Sequence, residues 1–255
     1  MARIGFIGTG EIASAMVEGI AGAGHEIRVS QRSAKTAATL AAKFAEVSVC
    51  SNEQVVEGSD YVILCLMSDV AGAVLADLPF RADQHVISAM GETSHAELQR
   101  LCAPATDLVK AIPLPSIASG GCPLPVFPNP VSVQAIFGDK NPVITVSSES
   151  GLAAYLGGCA TSLPMLELIR HARDWLAAET GDAAGAEAYL SAMFAAQFGD
   201  IARAGPGRLA EAIKALSLPG GFNATLRDAM ADHGAPDQLV AALDGLKPRL
   251  GLSEK

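Results

Sequence analysis

Aromatic residues make up only 5% of the 255-residue chain, and tryptophan occurs once. The hydrophobic half of the sequence is therefore mostly aliphatic, a composition suited to close-packed helices and buried parallel strands. Basic side chains are also scarce, 18 Lys and Arg against 27 Asp and Glu, for a formal net charge of −9. Binding a phosphate backbone needs a basic face, so nucleic acid is excluded as a partner and any anionic ligand must be held by local groups. The cysteines Cys50, Cys65, Cys102, Cys122 and Cys159 are odd in number and form no CxxC pair, which argues against a disulfide framework and a zinc site. His25, His85, His95, His171 and His233 are scattered without ligand spacing, so neither a metal site nor a catalytic histidine is expected. No basic segment followed by an apolar run opens the sequence, and the uncharged stretch 111–138 carries too many prolines for a membrane helix. The expectation is a cytoplasmic protein with no membrane segment.

What the sequence does contain is concentrated at its start. Ile4, Phe6 and Ile7 form a short apolar run that ends in Gly8-Thr9-Gly10-Glu11-Ile12-Ala13, after which Ile12, Met16 and Ile20 recur at helical spacing. A strand, a glycine turn and an amphipathic helix in that order are the setting in which GxGxxA binds a dinucleotide. Gly8 permits the tight turn, Gly10 lets the backbone approach a pyrophosphate, and Ala13 allows close helix–strand packing. The diphosphate then faces the unpaired N–H groups at the helix start. Glu11 is expected to turn its carboxylate to solvent, where it complements the helix dipole. At the end of the second strand an NAD site would place an acid for the adenosine ribose, whereas this chain has Ser30-Gln31-Arg32-Ser33. With no carboxylate there to repel a 2′-phosphate, and with Arg32 and Ser33 to bind one, the expected cofactor is NADP.

Further strands are predicted at 61–66, 86–89 and 108–112, and a helix at 34–44. The proline-rich segment 113–130 reads as a long ordered loop near the active cleft, and 131–137 and 143–146 as two β-like runs. Beyond them the pattern is helical: Met165, Ile169, Ala172 and Leu176 repeat at helical spacing, as do Leu190, Phe194, Gln197 and Ile201, with a break at Gly181-Asp182. Asn223 is predicted to cap a helix that begins near Ala224. The fold expected is α/β, an N-terminal Rossmann doubly wound sheet over 1–148 followed by an all-α substrate and dimerisation domain over 149–255.

Gly5-Phe6-Ile7-Gly8-Thr9-Gly10, then Gln31-Arg32-Ser33, the prolines after Lys110-Ala111-Ile112-Pro113, and Pro219-Gly220-Gly221 ahead of a helix together resemble the pyrroline-5-carboxylate reductase family. The likeness runs in order through nearly the whole chain. It implies reduction of a cyclic imine, a small-molecule substrate, by hydride from NADPH. It also implies a homodimer or higher homo-oligomer whose cleft lies between the cofactor domain of one subunit and the helical domain of its partner. By the same resemblance Leu66, Met67 and Pro113 join Gly8, Thr9, Gly10, Glu11, Ile12, Ser30, Gln31, Arg32 and Ser33 at the cofactor. Leu114, Gly220, Gly221, Phe222 and Asn223 would contact the substrate, with Ser162 and Asn223 as the polar groups at the chemistry.

The substrate half departs from the family pattern. Arg-Val-Met-Pro-Asn-Thr-Pro becomes Lys110-Ala111-Ile112-Pro113-Leu114-Pro115-Ser116, which replaces an amide by Leu114. Lys-Pro becomes Met67-Ser68, and Gly-Ser-Gly-Pro-Ala-Tyr becomes Thr161-Ser162-Leu163-Pro164-Met165-Leu166. Pro-Gly-Gly-Thr-Thr becomes Pro219-Gly220-Gly221-Phe222-Asn223, which adds apolar bulk where a carboxylate would be held. The chemistry tolerates such changes, because a protonated imine already carries the charge that makes its carbon accept hydride, and positioning supplies most of the effect. Three alternatives follow. A deazaflavin-dependent NADP reductase is a relative through the cofactor domain, but its chain usually lacks a helical domain of this size. A β-hydroxyacid dehydrogenase would need a lysine on the first helix of the second domain, and 150–203 contains none. A non-catalytic NADP-binding sensor or scaffold would account for the lost Asn and Thr positions.

Overall fold

The computed structural model describes residues 1–252, less the side chain of residue 204. They form two compact units, Met1–Leu156 with the stretch from Pro248 onward, and Gly157–Lys247.

The first unit alternates strand and helix: β1 (Arg3–Ile7), α1 (Glu11–Ile20), β2 (Glu26–Ser30), α2 (Ala34–Lys43), β3 (Val47–Cys50), α3 (Asn52–Glu57), β4 (Tyr61–Leu64), α4 (Ser68–Leu75), β5 (His85–Ser88), α5 (His95–Leu101) and β6 (Asp107–Ala111). A 3-10 turn at Pro115–Ala118, β7 (Leu124–Phe127), α6 (Val131–Phe137), β8 (Val143–Thr145) and α7 (Glu149–Cys159), whose last three residues fall in the second unit, follow. The eight strands stand in the order β3-β2-β1-β4-β5-β6-β7-β8, and neighbours run parallel except β6 and β7. Both faces are covered over the central strands β1, β4, β5 and β6, whose alternate residues enter different cores. Ile4, Phe6, Ile27, Val29, Ile63, Ile87 and Val109 pack with Met16, Val17 and Ile20 of α1 and with α6. Ile7, Val62, Leu64, Val86 and Leu108 pack with α3, α4 and α5. The chain order reverses between β1 and β4, and in open α/β sheets ligands bind outside the carboxyl ends of the strands at such a point.

Two expectations are corrected here. Residues 131–137 form the helix α6 instead of a strand. Their β-branched side chains suggested extended chain, but Asn129 Oδ1 accepts from the Val131 N–H at 3.2 Å, and the buried Ser132, Val133, Ile136 and Phe137 fall at helical spacing. The loop 113–130 contains β7, whose Val126 and Phe127 pair antiparallel with Ala111 and Lys110. Its prolines, which remove ladder donors, hid the strand.

The second unit carries α8 (Ser162–Thr180), α9 (Ala183–Ala204), α10 (Arg208–Leu216), α11 (Phe222–Asp232) and α12 (Ala235–Asp244). The break after α8 is built from Gly181, at φ 73°, and Asp182, whose carboxylate accepts from the Gly185 N–H at 2.8 Å. Gly221, not Asn223, is the N-cap of α11; Asn223 is the second helical residue. No side chain of α8, α10 or α12 is buried within the chain. By length and composition alone, the stretch Glu149–Thr180 that contains α7 and α8 passes the test for a membrane span, with a mean hydropathy of 1.4 over its most apolar 18 residues, which is weak evidence for one. Its second half carries Glu167, Arg170 and Asp174, which pair with one another on the helix surface.

At the amino edge of the sheet Asp107 accepts a hydrogen bond from Ser132 Oγ at 2.8 Å and a short one from His85, whose ring stacks on Tyr61. Burial raises the Asp107 carboxyl, but the bonds to His85 and Ser132 outweigh it and hold the group below the ordinary carboxylate value. A carboxyl lowered in the folded state contributes stability above its unfolded pKa of about 4, and that contribution is lost as pH falls through the folded value. Asp107→Asn is therefore expected to lower the melting temperature at neutral pH and to make it less sensitive to acid than in the wild type. Parallel melting-temperature curves for the two proteins from neutral to acid pH would contradict this.

Candidate functional site

The end of β1 and the end of β2 are fastened together by two bonds that face the interior. The Gly8 N–H donates to Ser30 Oγ at 2.9 Å, the Thr9 hydroxyl donates to the Ser30 carbonyl at 3.1 Å, and both Thr9 and Ser30 are buried. Gly8 has φ 92°, and a Cβ there would stand 2.4 Å from the Cys65 carbonyl oxygen, so only glycine fits the approach of this turn to the end of β4. Gly10 is different. Its backbone is extended, and a Cβ would meet no protein atom within 4 Å. The space before it is open, and α1 has no side-chain cap, which leaves its first N–H groups as donors for an anion.

A cavity of about 360 Å³ opens at this point. Of the predicted cofactor residues, Gly10, Glu11, Ile12, Leu66, Met67 and Pro113 line it. Sequence reasoning missed Cys65, Ala89, Gly91, Ile112 and Leu156, which line it too. The signal for most of these was available, since Cys65, Ala89 and Ile112 directly follow β4, β5 and β6, where a switch-point ligand is contacted. Burial pushes the Cys65 thiol up to about 12, so it is a neutral wall and not a nucleophile.

The other predicted residues are placed as follows. Thr9 and Ser30 turn their side-chain oxygens inward and shape the turn. Gln31 and Arg32 are exposed after β2, and Ser33 is the N-cap of α2 without a capping bond. Arg32 makes no ion pair or hydrogen bond among the described residues. Leu114 is half-buried against the core of the sheet, with its N–H donating to Cys122 Sγ at 3.3 Å, and does not line the cavity. Ser162, Gly220, Gly221, Phe222 and Asn223 all belong to the helical unit. There Ser162 and Asn223 are exposed, Gly220 holds φ 74°, and Phe222 is 96% exposed, so its ring is not core packing within the chain.

Residues 3–92 match the family model described as NADP oxidoreductase, coenzyme F420-dependent. No curated protein matches the chain by sequence. Among solved structures, the 1-pyrroline-5-carboxylate reductase of Streptococcus pyogenes superposes with a TM-score of 0.83 at 20% identity, covering 98% of this chain and 99% of that one. The chain has the pyrroline-5-carboxylate reductase fold. The Plasmodium falciparum pyrroline carboxylate reductase, a structure with NADP bound, shares this reductase fold at a TM-score of 0.82 and 17% identity, covering 98% and 97% of the two chains. A reductive aminase from Aspergillus terreus, in complex with NADPH and ethyl-5-oxohexanoate, matches with a TM-score of 0.61 at 17% identity over 99% of this chain and 88% of that one. The Rossmann sheet followed by helices that the sequence predicted is the architecture found.

Because a side chain at position 10 would project into the open space and not into the protein, Gly10→Val separates folding from binding. The ligand-free variant is expected to keep its stability to within about 1 kcal/mol, while calorimetry shows dinucleotide affinity reduced at least tenfold. Undiminished affinity would remove Gly10 from the site.

Proposed function

We propose that the chain is an NADPH-dependent reductase of C=N bonds, acting on a cyclic imine as a homodimer. The observation that carries this reading is the open cavity at Gly10, set at the switch point of the reductase fold, with Arg32, unpaired among the described residues, just beyond β2. The residues present fit the cofactor. Gly10 to Ile12, which line the cavity, would hold the diphosphate through backbone amides, and Arg32 with Ser33 the 2′-phosphate. NADPH, when bound, supplies the hydride.

The chain's own part is then to position and to exclude water. Leu66, Ile112, Pro113 and Leu156 give the cavity apolar walls, and a cationic imine in such a place needs no dedicated acid. The neighbours named for pyrroline carboxylate and for reductive amination support this reaction class. Ser162 and Asn223 are proposed as the polar groups that meet the acceptor, with Gly220, Gly221 and Phe222 as its contact surface. The homodimer takes its support from the helical unit, where Leu163, Leu166, Trp175, Tyr189 and Phe198 are all exposed in the single chain.

Arg32→Ala is expected to weaken NADPH binding by about ten- to a hundredfold, the loss of charge-assisted bonds worth roughly 1.5–3 kcal/mol, with NADH binding unaffected. Equal wild-type affinity for the two cofactors, measured by fluorescence titration, would exclude a 2′-phosphate site. The reaction itself is tested by following NADPH oxidation with five- and six-membered cyclic imines, with and without a carboxylate. Turnover only of uncharged imines would trace the Phe222 change to specificity. Intact NADPH binding with no turnover of any imine would replace the enzyme by a cofactor-binding protein.

A further inference from the structure

A second cavity, of about 440 Å³, lies in the first unit and shares Gly91 and Leu156 with the cofactor cavity. At its floor Lys110, whose side chain is 5% exposed, donates to Glu149 Oε1 at 2.9 Å. The same oxygen accepts the His95 N–H at 2.7 Å. Burying an ammonium costs several kcal/mol, and a close carboxylate does no more than offset that cost. A structural need for packing at the end of β6 would be met as well by an aliphatic side chain. Here the pair instead borders an open space, with donor and acceptor capacity left over. Lys110 has three N–H donors; besides Glu149 it reaches, among the described residues, only the Gly91 carbonyl, at 3.5 Å. Glu149 Oε2 takes no hydrogen bond among the described residues. Burial raises the Glu149 carboxyl, but the bonds from Lys110 and the His95 N–H outweigh it, so the group stays ionised at neutral pH.

The rim repeats the pattern. Arg249, on the segment that returns to this unit, pairs with Glu92, and both line the cavity. Two cations and two carboxylates therefore face one space. A lone anion would meet Glu149 and Glu92, and a lone cation would meet Lys110 and Arg249. A molecule that carries both signs a few ångströms apart satisfies the spare donors and the spare acceptor together.

We infer that this cavity is a binding site for a small zwitterion of the α-amino-acid type, with its carboxylate at Lys110 and its ammonium at the free oxygen of Glu149. The site is assigned from its own residues and does not depend on imine reduction.

The test is calorimetric titration of the full-length, cofactor-free protein with norleucine, with pentylamine, which lacks the carboxylate, and with hexanoate, which lacks the ammonium. Norleucine is expected to bind at least tenfold more tightly than either analogue. Lys110→Met should weaken norleucine at least tenfold and leave NADPH affinity unchanged, which separates this site from the cofactor cavity. Arg249→Ala, an exposed change that does not endanger the fold, should weaken norleucine severalfold. No heat with norleucine, equal binding of norleucine and hexanoate, or unaltered norleucine binding in both variants would overturn the assignment. Should Lys110→Met fail to fold by circular dichroism, Glu149→Gln and Arg249→Ala decide in the same way.

Discussion

The two hydrogen bonds that tie Gly8 and Thr9 to Ser30 determine where a nucleotide can be received. They draw the glycine turn down against the end of β2, while the left-handed backbone of Gly8 brings the same turn against the end of β4. The polar side chains nearest the turn are consumed in holding it, and the helix that follows presents bare amides. A protein of net charge −9 has little basic surface with which to attract phosphate. Directed dipoles do the work instead, and because they are fixed in place they need no reorganisation when an anion arrives.

The same economy governs the cationic side chains. The cofactor cavity itself is lined by no lysine or arginine. Arg32, on the surface beyond β2, is unpaired among the described residues, whereas Lys110 is buried at the end of β6 and tied to Glu149. The former can reach for a solvated phosphate. The latter is fixed within a low-dielectric wall, where a charge acts on its immediate neighbours far more strongly than in water.

Legibility in the sequence followed the physics of each element. The turn between β1 and α1 could be read because apolar periodicity changes from 2 to 3.6 across glycines that have few other uses there. The edge strand β3 was missed because its Ser48 and Val49 are exposed, which leaves no apolar run to see. The helix α3 was signalled by the Ser51–Gln54 capping box, a local cue that was overlooked. The helix α6 was misread because Val131, Val133 and Ile136 have strand propensity, and tertiary burial of one helical face overrode it. The pair of Lys110 and Glu149 joins residues 39 apart, and no local pattern announces such a meeting. Phe222 and Asn223 were visible as departures from a motif, but their roles depend on what covers them.

The segment from Pro248 onward belongs with the first unit although 91 residues of helices, Gly157–Lys247, come between. The sheet-bearing unit is thus discontinuous in the gene. A ribosome would release every strand, and the 91 residues of helices after them, before it released Arg249, which closes the rim at Glu92. Any attempt to excise this half as a contiguous fragment would leave the rim without Arg249.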